Sequence, residues 1–390
     1  SEAADARRSV PMWDEPSAKA TFALEVVIPQ GQSAYSNMPV ASSAEANGKQ
    51  VVRFATSPRM SSYLLHLTVG DLERISRKAA GVEIGIVTRK GAAEQGRVAL
   101  EAAAEILPWY NDYFGTSYPL PKLDMIAVPG TSQFFGAMEN WGAIMYFEQA
   151  LLMDPQISSE SDRLNIYDAV AHEMAHQWFG NLVTMEWWDD LWLNEGYATW
   201  MAEKAASTLR SQWNVPLLTV KWPREFALQS DASDATHPIV QRVASVDAAS
   251  QAFDAIAYNK GSAVIRMLEA SLGETGFRAG IRRYVRRYAY DNTVTDQLWS
   301  ELASATNRPV IDIARDFTLQ PGVPLVKAVT GRCESGRTRV TLTQGRFETG
   351  TPSPARLTWR IPVTLQAVDS KATASALLGN LKRGNGILNN

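Results

Sequence analysis

Cysteine is nearly missing from this chain: its 390 residues include one, Cys333. A lone thiol excludes an internal disulfide and any multi-cysteine zinc site. Histidine is almost as scarce, with four in all, so any pairing of histidines carries information. No uninterrupted apolar run approaches the ~18 residues that a membrane span needs. The charged opening Ser1-Glu2-Ala3-Ala4-Asp5-Ala6-Arg7-Arg8 does not have the pattern of a signal peptide. Neither sign of charge dominates, with 38 Lys and Arg against 41 Asp and Glu. That balance leaves no general field for a phosphate backbone, and no nucleic-acid partner is expected. Walker loops, a dinucleotide-binding glycine fingerprint and a Gly-X-Ser-X-Gly elbow are all missing, which removes support for NTPase, dehydrogenase and serine hydrolase readings. No targeting segment indicates a compartment, so localisation stays open between cytoplasmic and exported.

Apolar material is ample at 45%, and ~150 residues per domain suggest two or three domains. Alternation with period two marks the zone to about residue 75 as β: Phe22, Leu24, Val26 and Ile28 form one run, and Tyr63, Leu65, Leu67 and Val69 another. Between about 76 and 320 the pattern is mainly helical, with long segments at Arg97–Phe114, Ser161–Phe179 and Ser250–Leu272. Pro108 should kink the first or end it early. The segment Thr318–Thr330, with Pro321, Gly322 and Pro324, reads as a linker. Alternation then returns through Leu357, Trp359, Ile361, Val363 and Leu365, a second β module, before an Asn- and Gly-rich tail with little to bury. Four arginines in Arg282–Arg287 read as a solvated stripe of a helix whose Tyr284, Val285 and Tyr288 face inward.

The most informative residues are His172-Glu173-Met174-Ala175-His176. Positions four apart on a helix share a face, so both imidazoles can reach one ion, and Glu173 beside the first can hold an ion-bound water. Asp162 is a candidate cap for the start of this helix and Gly180-Asn181 for its end. Catalytic zinc usually takes a third protein ligand. Phe179 and Leu182 stand where a metzincin would have Gly and a third His, and His66 and His237 are distant, so a carboxylate is expected. Glu186, Asp189, Asp190 and Glu195 are the nearby choices. Glu195 is favoured because a second helix, capped by Asp189 or Asp190, carries it beside the apolar residues Trp192, Leu193, Tyr197 and Met201. Asn194 next to it could orient the ligands.

These residues, together with Gly136-Ala137-Met138-Glu139-Asn140 upstream and Trp192-Leu193-Asn194-Glu195-Gly196-Tyr197-Ala198, whose Glu195 follows His176 after an 18-residue gap, resemble the aminopeptidase N family of zinc peptidases. Trp13-Asp14-Glu15-Pro16 is similar to the family's N-terminal β domain, and Phe253–Gly261 to the segment carrying its catalytic tyrosine. The resemblance implies a multidomain α+β protein. A partial N-terminal β domain (1–75) precedes a thermolysin-like catalytic domain (76–320), and a small β-sandwich module (321–390) follows. It implies one Zn2+ per chain held by His172, His176 and Glu195, with Glu173 as general base and acid and Tyr258 as stabiliser of the oxyanion. It places Glu139 on the free α-amine of a peptide substrate, Gly136, Ala137, Met138 and Asn140 along that substrate, and Glu2 as a second acidic contact. Family members are longer at both ends, so the resemblance implies that a large C-terminal helical domain belongs to the full-length protein. A leukotriene-hydrolase-like member is the alternative enzyme, disfavoured by Ala137 where that branch tends to have Gly. A silent peptide-binding ectodomain and an endopeptidase are the other readings.

Overall fold

The computed structural model describes residues 3–132, 136–154, 156–221, 223–335, 337–350, 357–366, 373–379 and 383–389. Glu2 therefore lies outside the described residues.

The N-terminal segment is β structure. Glu25–Pro29, Lys49–Phe54 and Val40–Ala46 form an antiparallel sheet in that spatial order, and Ser33–Ser36 pairs with Leu67–Gly70. The alternation at Phe22–Ile28 does bury Ile28 with Ala34, Val52 and Phe54. The second alternating run fails. A 3-10 turn at Ser62–Leu64 resets the phase, so Tyr63 is buried while Leu67 and Val69 face solvent.

A five-stranded sheet follows, ordered Leu72–Ala79, Val82–Arg89, Lys122–Val128, Ala143–Phe147 and Ala137–Met138. Its central pairs are parallel and its outer pairs antiparallel. The first of these strands runs through residue 75, the expected domain boundary. Parallel central strands need cover on both faces, and Lys122–Val128 is buried along nearly its whole length.

Two long helices pack beside this sheet, and a third packs on the second of them. Arg97–Phe114 carries Pro108 inside it and does not end there. Glu160–His176 begins one turn before Asp162: Ser159 is the cap, and Asp162 completes a reciprocal capping box with it. The helix ends at His176, short of Gly180. Trp192–Leu209 has no side-chain cap at all, because a 3-10 turn at Trp188–Asp190 leads into it. Asp189 instead accepts from the Val243 amide (2.6 Å), and Asp190 from the Thr295 amide and hydroxyl. Trp178, Trp188, Trp192 and Trp200 are buried in the core between these helices, and Phe179 stacks on Tyr197 at 4.0 Å.

The helix expected over Ser250–Leu272 is broken. Val246–Gln251 stops, Asp254 starts a π turn at Ile256–Lys260, and a helix resumes at Gly261–Leu272. Lys260 anchors the end of that turn through Nζ to Asp231 (2.9 Å) and to the Gly322 carbonyl (3.0 Å), all buried. Most arginines of Glu274–Tyr288 lie on its exposed side and bond within the fold. Arg283 and Arg287 pair with Glu301, and Arg282 donates to the Tyr113 carbonyl, while Tyr284 and Val285 are buried.

The expected linker shrinks to Leu319–Gly322, because Val323–Glu334 is a strand paired with Arg337–Phe347. Pro324 is compatible with it since the strand lies at a sheet edge. The backbone of Arg383–Asn389 pairs on the other side of Arg337–Phe347, so the tail contributes a strand. Ile361–Gln366 pairs with Thr373–Leu378, with Trp359, Ile361 and Leu378 buried.

Candidate metal centre and active site

The helix Glu160–His176 buries Ile166, Tyr167, Val170, Ala171, Met174 and Ala175, which fixes its rotation. His172 and His176, one turn apart, then point from one face at the helix Trp192–Leu209. Glu195 meets them there, from the first turn of a helix buried on most sides. Its carboxylate lies 3.3 Å from His172 Nε2 and 3.4 Å from His176 Nε2, and the two Nε2 atoms are 3.0 Å apart. Atoms ~2.0–2.1 Å from a tetrahedral zinc lie about 3.3–3.4 Å from one another. Two of the three separations match that spacing and the third, between the imidazoles, is 0.3 Å shorter, so the donors lie close enough together for one such ion. The other carboxylates considered do not approach: Glu186 is exposed, and Asp189 and Asp190 are engaged as described above. His66 bonds Thr68 and His237 bonds Asp254, away from this group.

Orientation comes from the backbone. His176 Nδ1 donates to the Phe179 carbonyl at 3.0 Å, which leaves Nε2 as the atom with a lone pair for an ion. The chain makes room for this by a tight turn at Gly180 (φ +130°), where a Cβ would stand 3.3 Å from both His176 Nδ1 and Asn194 Nδ2. Asn194 is buried and donates to the Tyr63 hydroxyl (3.2 Å), which itself reaches the Gly180 carbonyl (3.2 Å). Asn194 thus braces the turn behind His176 and does not bond a ligand directly.

Three carboxylates crowd this pair of imidazoles. Glu173 and Glu139 are buried, and among the described residues neither Glu173 Oε2 nor Glu139 Oε1 has a hydrogen-bond partner. Burial pushes the Glu173 carboxyl well above its usual range; His176 opposes this, and the charges of Glu139 and Glu195 add to it. Glu139 is raised too, by burial and by Glu195, against the pull of His176. Burial also disfavours ionised Glu195, but His176 and His172 outweigh it and hold that carboxyl down to about 2. For His176 burial opposes charge, while Glu139, Glu195 and Glu173 together push its pKa well up. So much buried negative charge calls for a cation in its midst, and two imidazoles with a carboxylate suit a zinc-type ion. His172, His176 and Glu195 would hold it; Glu139, Glu173 and His176 form a second close group on its flank.

Glu139 reaches this place on the strand Ala137–Met138, which lies at the edge of the five-stranded sheet with Met138 opposite Met145. Gln177 Nε2 (3.1 Å) and Asn181 Nδ2 (2.8 Å) both donate to the Glu139 carbonyl and fix the segment onto the end of the histidine helix. Asn140 is buried and donates to the Leu64 carbonyl at 3.3 Å, so it ties the segment to the N-terminal turn. Gly136 and Ala137 remain at its open side, exposed and half-buried respectively. Tyr258, on the π turn, lies nearly parallel to the His172 ring, with centroids 6.0 Å apart. Gln177, Asn181 and Tyr63 were not foreseen. Only the order Gln177…Asn181 just after the histidine pair hinted at them, because their partner is a backbone carbonyl far away in sequence.

Residues 98–317 match the Peptidase family M1 domain and residues 1–64 the Peptidase M1 N-terminal domain. Among similar proteins, a probable aminopeptidase 2 of Sulfurisphaera tokodaii is 40% identical over 95% of this chain and 46% of its own length. A leucyl aminopeptidase of Saccharolobus solfataricus is 40% identical over 94% of this chain and 45% of its own length. A puromycin-sensitive aminopeptidase of Caenorhabditis elegans is 39% identical over 96% and 40%. The chain thus spans less than half the length of these relatives. With the metal-type donor set in place and most of the chain matched, the protein belongs to the peptidase M1, or aminopeptidase N, family.

Proposed function

We propose that this chain is the catalytic part of a zinc-dependent aminopeptidase that hydrolyses the N-terminal peptide bond of peptides. The observation that carries the reading is the convergence of His172, His176 and Glu195 near zinc-ligand spacing beside two buried carboxylates, each with an oxygen that has no partner among the described residues. When bound, zinc supplies a Lewis acid that can bring the pKa of a water from ~15.7 towards ~7. Glu173 would take the proton of an attacking water and then give it to the leaving amine. Tyr258 donates its hydroxyl to the carbonyl oxygen as negative charge builds there. Replacing Tyr258 by Phe is expected to lower kcat about 100-fold with little loss of zinc; unchanged kcat would remove the residue from the mechanism.

Glu139 distinguishes an aminopeptidase from other zinc peptidases in this reading. A free α-amine has a pKa of ~8 and is mostly protonated at neutral pH, so it can satisfy the orphaned Glu139 oxygen. An acetylated terminus leaves that buried oxygen without a donor. Glu2 is proposed as the second acidic contact. The substrate backbone would lie along Gly136, Ala137 and Met138 as an added strand, which tolerates many side chains, with Asn140 holding that edge in place. Glu139→Ala is expected to raise KM for free peptides about 10-fold or more, the worth of one charge-assisted hydrogen bond, and to narrow the gap to acetylated peptides. Wild-type kinetics on both would refute this role.

The domain layout proposed with this function keeps a partial N-terminal β domain to about residue 75, a thermolysin-like domain to about 320, and a β-sandwich module beyond. A C-terminal helical domain is proposed for the full-length protein. Among the described residues no helix is long and apolar enough to cross a membrane.

A further inference from the structure

The tyrosine turn has supports of its own. A π turn displaces the helical hydrogen-bond ladder and leaves its first N–H groups seeking acceptors. Asp254 provides them. Its Oδ1 accepts from the Ile256 and Ala257 amides, each at 2.9 Å, and its backbone carbonyl accepts from the Tyr258 amide at 3.1 Å. Three consecutive amides thus end on one residue. The remaining oxygen, Oδ2, lies 2.6 Å from His237 Nε2, and His237 Nδ1 lies 2.7 Å from the Pro238 carbonyl. Two acceptors facing both ring nitrogens require a doubly protonated, charged imidazole. Consistent with this, the hydrogen bond from Asp254 raises the His237 pKa, against partial burial and the nearby Lys260 charge.

The rest of the turn is clamped. Gly196, next to Glu195, packs so closely that a Cβ there would stand 3.2 Å from the Ala257 carbonyl oxygen and from Gly261. Lys260 is tied to Asp231 and Gly322 at the far end. The near end depends on Asp254. A tilt of about 10° at the Tyr258 backbone moves its hydroxyl by about 1 Å, enough to cost up to ~100-fold in rate.

We infer that Asp254, oriented by His237, is a positioning residue that sets the place of the Tyr258 hydroxyl over the metal centre. The inference rests on the reading of Tyr258 as the oxyanion donor. Its test is a double-mutant cycle in the full chain, with Asp254→Ala, Asp254→Asn and His237→Gln each made alone and with Tyr258→Phe. Asp254→Ala is expected to lower kcat about 10- to 100-fold with KM within about two-fold, and to remove hydrogen-exchange protection from the Ile256 and Ala257 amides. Asp254→Asn, which keeps an oxygen for those amides, recovers most of the rate. His237→Gln falls between them. In the Tyr258→Phe background Asp254→Ala lowers kcat no further. An equal loss in both backgrounds would overturn the inference and leave Tyr258 in its role. A Tyr258→Phe variant with wild-type kcat would overturn both.

Discussion

Glu173→Gln is expected to lower kcat by about three orders of magnitude while zinc stays bound. Glu173 is buried, and its Oε2 has no partner among the described residues, so the amide would break no bond seen there. General acid–base catalysis contributes ~10²–10⁴-fold, and here one carboxylate both accepts and returns the proton. Gln keeps the volume and loses the basic carboxylate that accepts and returns the proton. Because Glu173 does not belong to the group His172, His176 and Glu195, metal content measured by emission spectrometry should match wild type. A variant that loses zinc along with activity would make Glu173 a ligand, and one that keeps its rate would leave the proton transfers to another group.

The second large effect concerns Glu195. Its carboxylate is held ionised by His176 and His172 despite burial, the state in which it can bind an ion. Glu195→Ala removes one of three donors and leaves two imidazoles beside the buried Glu139 and Glu173. Loss of outer partners alone costs ~10–100-fold in metal affinity, so loss of a ligand should cost about 100-fold or more. Competition with a chromogenic chelator reads this directly. Activity should fall in step and return in part with excess zinc. An unchanged affinity would mean that another carboxylate completes the site, which the engagement of Asp189 with Val243 and Asp190 with Thr295 opposes.

What the sequence could reveal of this site was governed by distance along the chain. The histidine pair is set by helical spacing, and Glu195 rides a neighbouring helix within one supersecondary unit, so both were readable from local pattern. The caps were misjudged by a turn: Ser159 and Asp162 share a reciprocal box, and periodicity alone does not say which of two capping residues comes first. The strand Val323–Glu334 was hidden by Pro321, Gly322 and Pro324, whose loop signal holds only at its very start, since an edge strand tolerates proline. The break at Ala252–Ala255 and the π turn after it gave no apolar signature, because they are imposed by Asp254 and by Gly196 packing from another helix. Glu139 illustrates the remaining limit. Residues 136–140 carry the resemblance, but burial and the grip of Gln177 and Asn181 arise only in the folded chain.

In the proposed mechanism, the buried Glu139 carboxylate next to a sheet edge selects a free N-terminus for the metal centre beside it. Product mass spectrometry on one tetrapeptide, offered to the zinc-loaded protein with a free and with an acetylated N-terminus, tests this most directly. The expected result is loss of a single residue from the free form and no cleavage of the acetylated form. Cleavage of both forms, or of an internal bond, would contradict it.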